Sequence, residues 1–158
     1  MSLEELEGID ASTLPFGKLI SMISRGQHIY LNHNLKDLDI NSSQLHLLFE
    51  ISHQKNINQE KIANRCNINK GTVARSIKKL EEKELIVREI DKENRRQNKI
   101  SLTSKGQNVL DRSIEVLDNW ESEVLKNCLE NDKILLKETL KEVLINTIEL
   151  NKGESANE

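Results

Sequence analysis

Asn58 and Asn69 punctuate the middle of this chain in the same way, and that repetition limits the fold more than any other feature of its 158 residues. An asparagine side chain accepts from the orphan backbone N–H groups at a helix start, so each reads as an N-cap. Ile57 precedes the first cap and Ile62 follows it at the fourth helical position; Ile68 and Val73 stand in the same places around the second. Each apolar pair can close as a hydrophobic staple across a helix entry. The first helix then turns Ile62, Ala63 and Cys66 to one face, and the second turns Val73, Ile77 and Leu80. Between the two patterns Cys66-Asn67-Ile68 leaves room only for a tight turn, so the second helix must pack across the first as a helix-turn-helix.

Two short β-type runs follow, Leu85–Ile90 and Lys99–Leu102, on either side of the polar stretch Asp91 to Asn98. They predict a hairpin whose loop protrudes as a wing. Upstream, Leu14, Leu19, Ile23 and Leu31 predict a helix from about Pro15 to Asp37, with Pro15 in its first turn. Asn41 or Ser42 caps a second helix ending near His53. Downstream, Thr103 or Ser104 caps a long helix that Asn131-Asp132 is expected to break, and a last helix runs from Ile134 to Leu150. Aromatic residues at 3% and a lone proline favour helices over a sandwich or barrel.

The expected fold class is therefore mainly α with a small β-hairpin wing, a winged helix-turn-helix with N- and C-terminal dimerisation helices. The expected boundaries are 1–37 for the N-terminal dimerisation helix, 38–103 for the DNA-binding lobe, 104–150 for the long helix and C-terminal dimerisation helix, and 151–158 for a disordered tail.

A net charge of −3 argues against a nucleic-acid partner until its distribution is considered. Lys61 to Arg112 holds fourteen Lys and Arg against seven Asp and Glu, while the rest holds nine against nineteen. A cationic middle supplies the counterion release that dominates DNA affinity, and anionic flanks keep the remainder off the phosphates. On the second helix of the pair, the residues left towards solvent are Lys70, Gly71, Thr72, Arg75, Ser76, Lys78 and Lys79. Arg75 has the fork that fits guanine O6 and N7, Lys70 and Thr72 can reach a base edge, and Lys78 and Lys79 suit phosphates. Gly71 suits either close backbone approach or a relaxed helix start. Asn58 and Gln59 open the supporting helix towards the same duplex. Arg95 and Arg96 at the wing tip suit a narrow minor groove, with Asp91 placed to pair with one of them.

The end helices carry more apolar surface than a small winged helix covers. A second copy of the chain would bury Leu14, Phe16, Leu19, Ile23, Leu136, Leu140, Val143, Leu144 and Ile148, and would set two recognition helices about 34 Å apart on duplex DNA. A monomeric helical bundle is the other reading of the same pattern.

Other chemistries find little purchase. No HExxH, CxxC, GxSxG or glycine-rich phosphate loop is present, so no catalytic residue and no cofactor is expected. His46 and His53 could share a helix face in a metal-responsive regulator, though a lone helical pair is usually solvated, and no metal is expected. Cys66 and Cys128 have no activating neighbour in sequence. No apolar run is long enough to span a bilayer and the first ten residues are acidic, which suits a soluble cytoplasmic protein without membrane contact. A winged helix used for protein contacts remains an alternative. A ligand cavity between the first, second and long helices could involve Tyr30, His33, Phe49 or Trp120, each of which could equally be core.

Four segments together resemble the MarR family of winged-helix transcriptional regulators: Gln59-Glu60-Lys61-Ile62-Ala63, Asn69 through Arg75, Leu80 through Ile86, and Ile100 through Gly106. The resemblance implies a homodimeric repressor or activator on pseudo-palindromic operators, often released by a small phenolic or anionic effector bound between the dimer helices and the DNA-binding lobes. The family often has glycine at the position of Glu84 and an acidic residue at that of Asn94. Glutamate at the first position implies a strained or different helix end, and asparagine at the second implies a looser wing.

Overall fold

Side-chain caps mark the starts of the central helices of this computed structural model. The structure describes residues 3–54, 56–66, 68–90 and 98–155. Its elements in order are α1 (Leu3–Glu7), α2 (Phe16–Asn34), α3 (Ser42–His53), α4 (Gln59–Cys66), α5 (Lys70–Glu82), β1 (Ile86–Ile90), β2 (Asn98–Leu102), α6 (Ser104–Val124) and α7 (Glu130–Ser155), with 3-10 turns at Ala11–Thr13 and Lys36–Leu38. Asn41, not Ser42, caps α3, in a reciprocal box: the Gln44 N–H donates to Asn41 Oδ1 at 2.9 Å and the Asn41 N–H to Gln44 Oε1 at 3.2 Å. Asn58 accepts from the Lys61 N–H at 2.8 Å, and Asn69 from the Gly71 N–H at 2.8 Å. Ile57, Ile62 and Val73 are buried and Ile68 half-buried, as two staples require.

α3 is the centre of the core. Leu45, Leu47, Leu48 and Ile51 are buried, and the helix packs on α2, α4, α5 and β2. β1 and β2 pair antiparallel from Ile86↔Leu102 to Ile90↔Asn98. A further bridge, the Ile100 N–H donating to the Ile57 carbonyl at 2.8 Å, ties the base of the wing to the residue before the α4 cap.

Several boundaries differ from the sequence expectation. α2 stops at Asn34 instead of Asp37; there the Asn34 amide donates to the Tyr30 carbonyl at 2.8 Å, the kind of local bond that competes with a continuing helix. Pro15 is the N-cap of α2, one place before its first turn. Asn131-Asp132 does not break the long helix. α6 ends at Val124, and Glu130 and Asp132 lie in the first turn of α7, where carboxylates favour the positive end of a helix. The supposed tail is helical through Ser155, with Lys152 in the last turn complementing the opposite pole, and 156–158 lie outside the described residues.

Contacts divide the chain into two units, residues 1–120 and 121–158. Leu31 and Leu35 from the end of the first long helix, and Val109 and Leu110 from α6, belong to the same buried cluster as the helix-turn-helix. A lobe of 38–103 alone would expose that shared core.

The junction of α5, β1 and α6 is tightly made. Glu84 adopts a left-handed conformation with φ 60°. The Leu85 N–H donates to Leu80 O at 2.9 Å and the Glu84 N–H to Glu81 O at 2.8 Å, which is a Schellman close, with buried Leu85 and Leu80 as its apolar pair. Thr103 caps α6, accepting from the Gly106 N–H at 3.0 Å while its hydroxyl donates to the Glu84 carbonyl at 2.7 Å. Gly106 rests on the Leu85 backbone so closely that a Cβ there would stand 1.9 Å from the Leu85 oxygen.

Candidate nucleic-acid interface

α5 is divided lengthwise. Val73, Ile77 and Leu80 are at most 1% exposed. On the other side Lys70, Gly71, Thr72, Arg75, Lys78 and Lys79 are exposed and Ser76 is half-buried. Thr72, Arg75, Ser76, Lys78, Lys79 and Glu82 line an open groove of about 360 Å³. Arg75 Nη2 donates to Thr72 Oγ1 at 3.2 Å, which folds the guanidinium along the helix and leaves its other donors outward. Lys78 Nζ lies 3.8 Å from Glu82 Oε1, a loose pair one turn on. A Cβ at Gly71 would come within 3.1 Å of the capping oxygen of Asn69, so the glycine has a local steric reason at the helix start.

A second cleft, of about 300 Å³, lies where the starts of α4 and α5 meet the strands, lined by Asn58, Gln59, Glu60, Lys70, Arg88, Asn98 and Ile100. Asn58 and Gln59, expected at this face, are half-buried. Lys70 Nζ reaches Glu60 Oε1 at 2.6 Å, and its hydrogen bond and charge hold the Glu60 carboxyl below the usual carboxylate range. Arg88 on β1 is hydrogen-bonded to Glu81 on α5, which lowers the Glu81 carboxyl and raises the guanidinium further. Glu60, Glu81 and Arg88 were not singled out from sequence. Arg88 and Glu81 lie seven residues apart across a turn, and only the fold makes them neighbours. The wing residues Asp91, Asn94, Arg95 and Arg96 lie outside the described residues.

A cavity lies between α2, α3 and α6, where the sequence expectation places one, but its lining differs in part from the expected residues. It holds about 410 Å³ and is lined by Ser24, Gln27, His28, Leu31, Ser42, Ser43, Leu45, His46, Phe49, Ile68 and Leu117. Phe49 is among them; Tyr30, His33 and Trp120 are not. Positions 24, 27, 28 and 31 form one helical stripe of α2, and Tyr30 and His33 point off that stripe, Tyr30 half-buried against the core and His33 exposed. His28 Nδ1 lies 2.7 Å from Ser42 Oγ. His53 meets the Phe49 carbonyl at 2.7 Å through Nδ1. Among the described residues no group of three or more His, Cys, Asp and Glu side chains is placed to hold a metal ion. Burial and the nearby Glu50 carboxylate push the Cys66 thiol up, away from thiolate reactivity. No helix of the described residues is long and apolar enough to cross a membrane.

The apolar residues expected at a dimer interface are only partly covered. Phe16, Ile23, Leu136, Leu140, Leu144 and Ile148 are exposed, and Leu14, Leu19 and Val143 half-buried.

Comparison with known proteins agrees with this architecture. Residues 40–97 match the model of the MarR family. YybA of Bacillus subtilis (strain 168), described as an uncharacterised HTH-type transcriptional regulator, is 37% identical over 90 residues, which is 57% of this chain and 60% of YybA. The chain thus spans about three-fifths of the length of that curated relative. A crystal structure of MarR is similar with a TM-score of 0.83 at 26% identity, covering 90% of this chain and 97% of that one. The S. aureus MepR–DNA complex shares the fold, with a TM-score of 0.74 at 24% identity over 84% of this chain and 98% of MepR. Over residues 40–97 this chain matches the MarR family, and its winged helix-turn-helix is similar to that of MarR.

Proposed function

We propose that this protein is a DNA-binding transcriptional regulator, a repressor that acts as a homodimer on pseudo-palindromic operators and is released by a small anionic or phenolic effector. The observation that carries this reading is the lengthwise division of α5, whose buried stripe locks it into the lobe while Lys70, Thr72, Arg75, Lys78 and Lys79 face outward along its length. A helix anchored in this way and charged on its free side is what major-groove entry needs. The MepR–DNA complex, of the same fold, supports the reading at the level of fold. Two copies joined through α2 and α7 would cover the apolar residues that a single chain leaves exposed. The cavity beside His28, His46 and Phe49, with hydroxyls from Ser24, Ser42 and Ser43, offers donors and one aromatic face to an effector.

Salt separates this function from a winged helix used for protein contacts. Duplex binding through several Lys and Arg groups should weaken by orders of magnitude between about 50 and 200 mM salt, whereas an apolar partner interface should barely respond. Fluorescence anisotropy with a duplex selected by the protein from a random pool measures this. A flat salt response, or the absence of any selected sequence, rejects the DNA-binding function.

A further inference from the structure

One ion pair on the proposed DNA face joins the two helix starts. Lys70 Nζ and Glu60 Oε1 are 2.6 Å apart, and their side chains are 69% and 58% exposed. Glu60 lies in the first turn of α4, where the helix dipole favours its charge, and Lys70 is the first residue of α5. The pair faces the cleft between the recognition helix and the wing strands, on the surface that a duplex would meet. A lysine contributes to general DNA affinity only if it neutralises a phosphate and so displaces a condensed counterion. A lysine already matched by a carboxylate brings no net charge to that exchange, and the carboxylate itself repels phosphate. Lys78, 3.8 Å from Glu82, is held far more loosely.

We propose that Glu60 is a specificity-determining residue that silences Lys70 towards phosphate, so that Lys70 does not help hold the protein on non-target DNA and is drawn from its partner only by a well-placed base acceptor. This rests on the DNA-binding function proposed above. It divides the cations of α5 by their partners: Lys79 and the loosely held Lys78 serve the backbone, while Lys70 serves recognition.

The test is a double-mutant cycle on a mixed-sequence duplex and on a selected one, with the full chain. On mixed-sequence DNA, Glu60→Gln should raise affinity about two- to fivefold, the worth of an exposed pair, and steepen the log–log salt slope by about 0.9, one added phosphate contact. Lys70→Gln alone should leave that slope unchanged, yet should cancel the whole gain when combined with E60Q. On the selected duplex, Lys70→Gln alone should weaken binding. The inference is overturned if E60Q changes neither affinity nor slope on mixed-sequence DNA, or if K70Q alone already flattens the slope by about 0.9. Wild-type protein that binds neither duplex would instead reject the DNA-binding function itself, and this inference with it.

Discussion

Glu84 occupies the left-handed position of the Schellman close that ends α5, with φ 60°, a conformation that costs a side-chain-bearing residue and suits glycine. Its carboxylate offsets little of that cost, because its contact with Lys105 Nζ is 3.6 Å long and both side chains are largely exposed. Glu84→Gly should therefore stabilise the protein by about 0.5–1 kcal/mol, after allowing for the extra freedom glycine gives the unfolded chain. Urea unfolding measures this, and a clear loss of stability would mean that the strain is absorbed elsewhere. The resemblance had marked this position because the family favours glycine there; the left-handed geometry is the physical basis of that preference. Gly106 carried no such signal. Its need to be glycine comes from the Leu85 backbone, distant in sequence, and no local pattern records such an approach.

Among the elements, α5 carries most of the proposed function, and the two roles proposed for it should separate by mutation. Arg75→Ala removes the one planar fork on the exposed stripe and should flatten discrimination among related sites, costing about 1–3 kcal/mol on the preferred sequence. Lys78→Ala should weaken all duplexes alike and reduce the salt slope by about 0.9. Titrating a panel of single-base variants of the selected duplex distinguishes them; equal behaviour of the two variants would erase the division between reading and holding. The helix starts were legible in the sequence because caps and staples are local, as Asn41, Asn58 and Asn69 illustrate. The end of α6 was not legible, since Val124, Leu125 and Cys128 continue its apolar spacing while the chain turns over 125–128. Side-chain partners across the helix-turn-helix were equally hidden, because the Glu60–Lys70 pair depends on how two helices cross. For the cavity beside α2, the lining stripe Ser24, Gln27, His28 and Leu31 is mostly polar, so apolar periodicity does not mark it as the inward one, and a shift of one stripe exchanges His33 for His28.

At the scale of the whole molecule, the exposed leucines and isoleucines of α7 are the strongest argument for a second copy, since Leu136, Leu140, Leu144 and Ile148 are all open to water in one chain. Replacing Leu144 and Ile148 together with lysine should convert a dimer into a monomer in sedimentation velocity. It should also weaken binding to a palindromic duplex by about a hundredfold or more, because two linked lobes engage their half-sites with an avidity that separate lobes lack. If the double variant still sedimented as two copies, α7 would not be the dimer seam. Within residues 1–120, the first turn of α6 is fastened to the end of α5 at three successive residues: Lys105 Nζ to the Lys83 carbonyl at 2.8 Å, Thr103 to the carbonyl of Glu84, and Gly106 against the backbone of Leu85. Close-packed contacts of this kind do not slide, so the two helices turn as a single lever. A tilt imposed on α6 at its first turn would carry α5 with it, without any slack to take up.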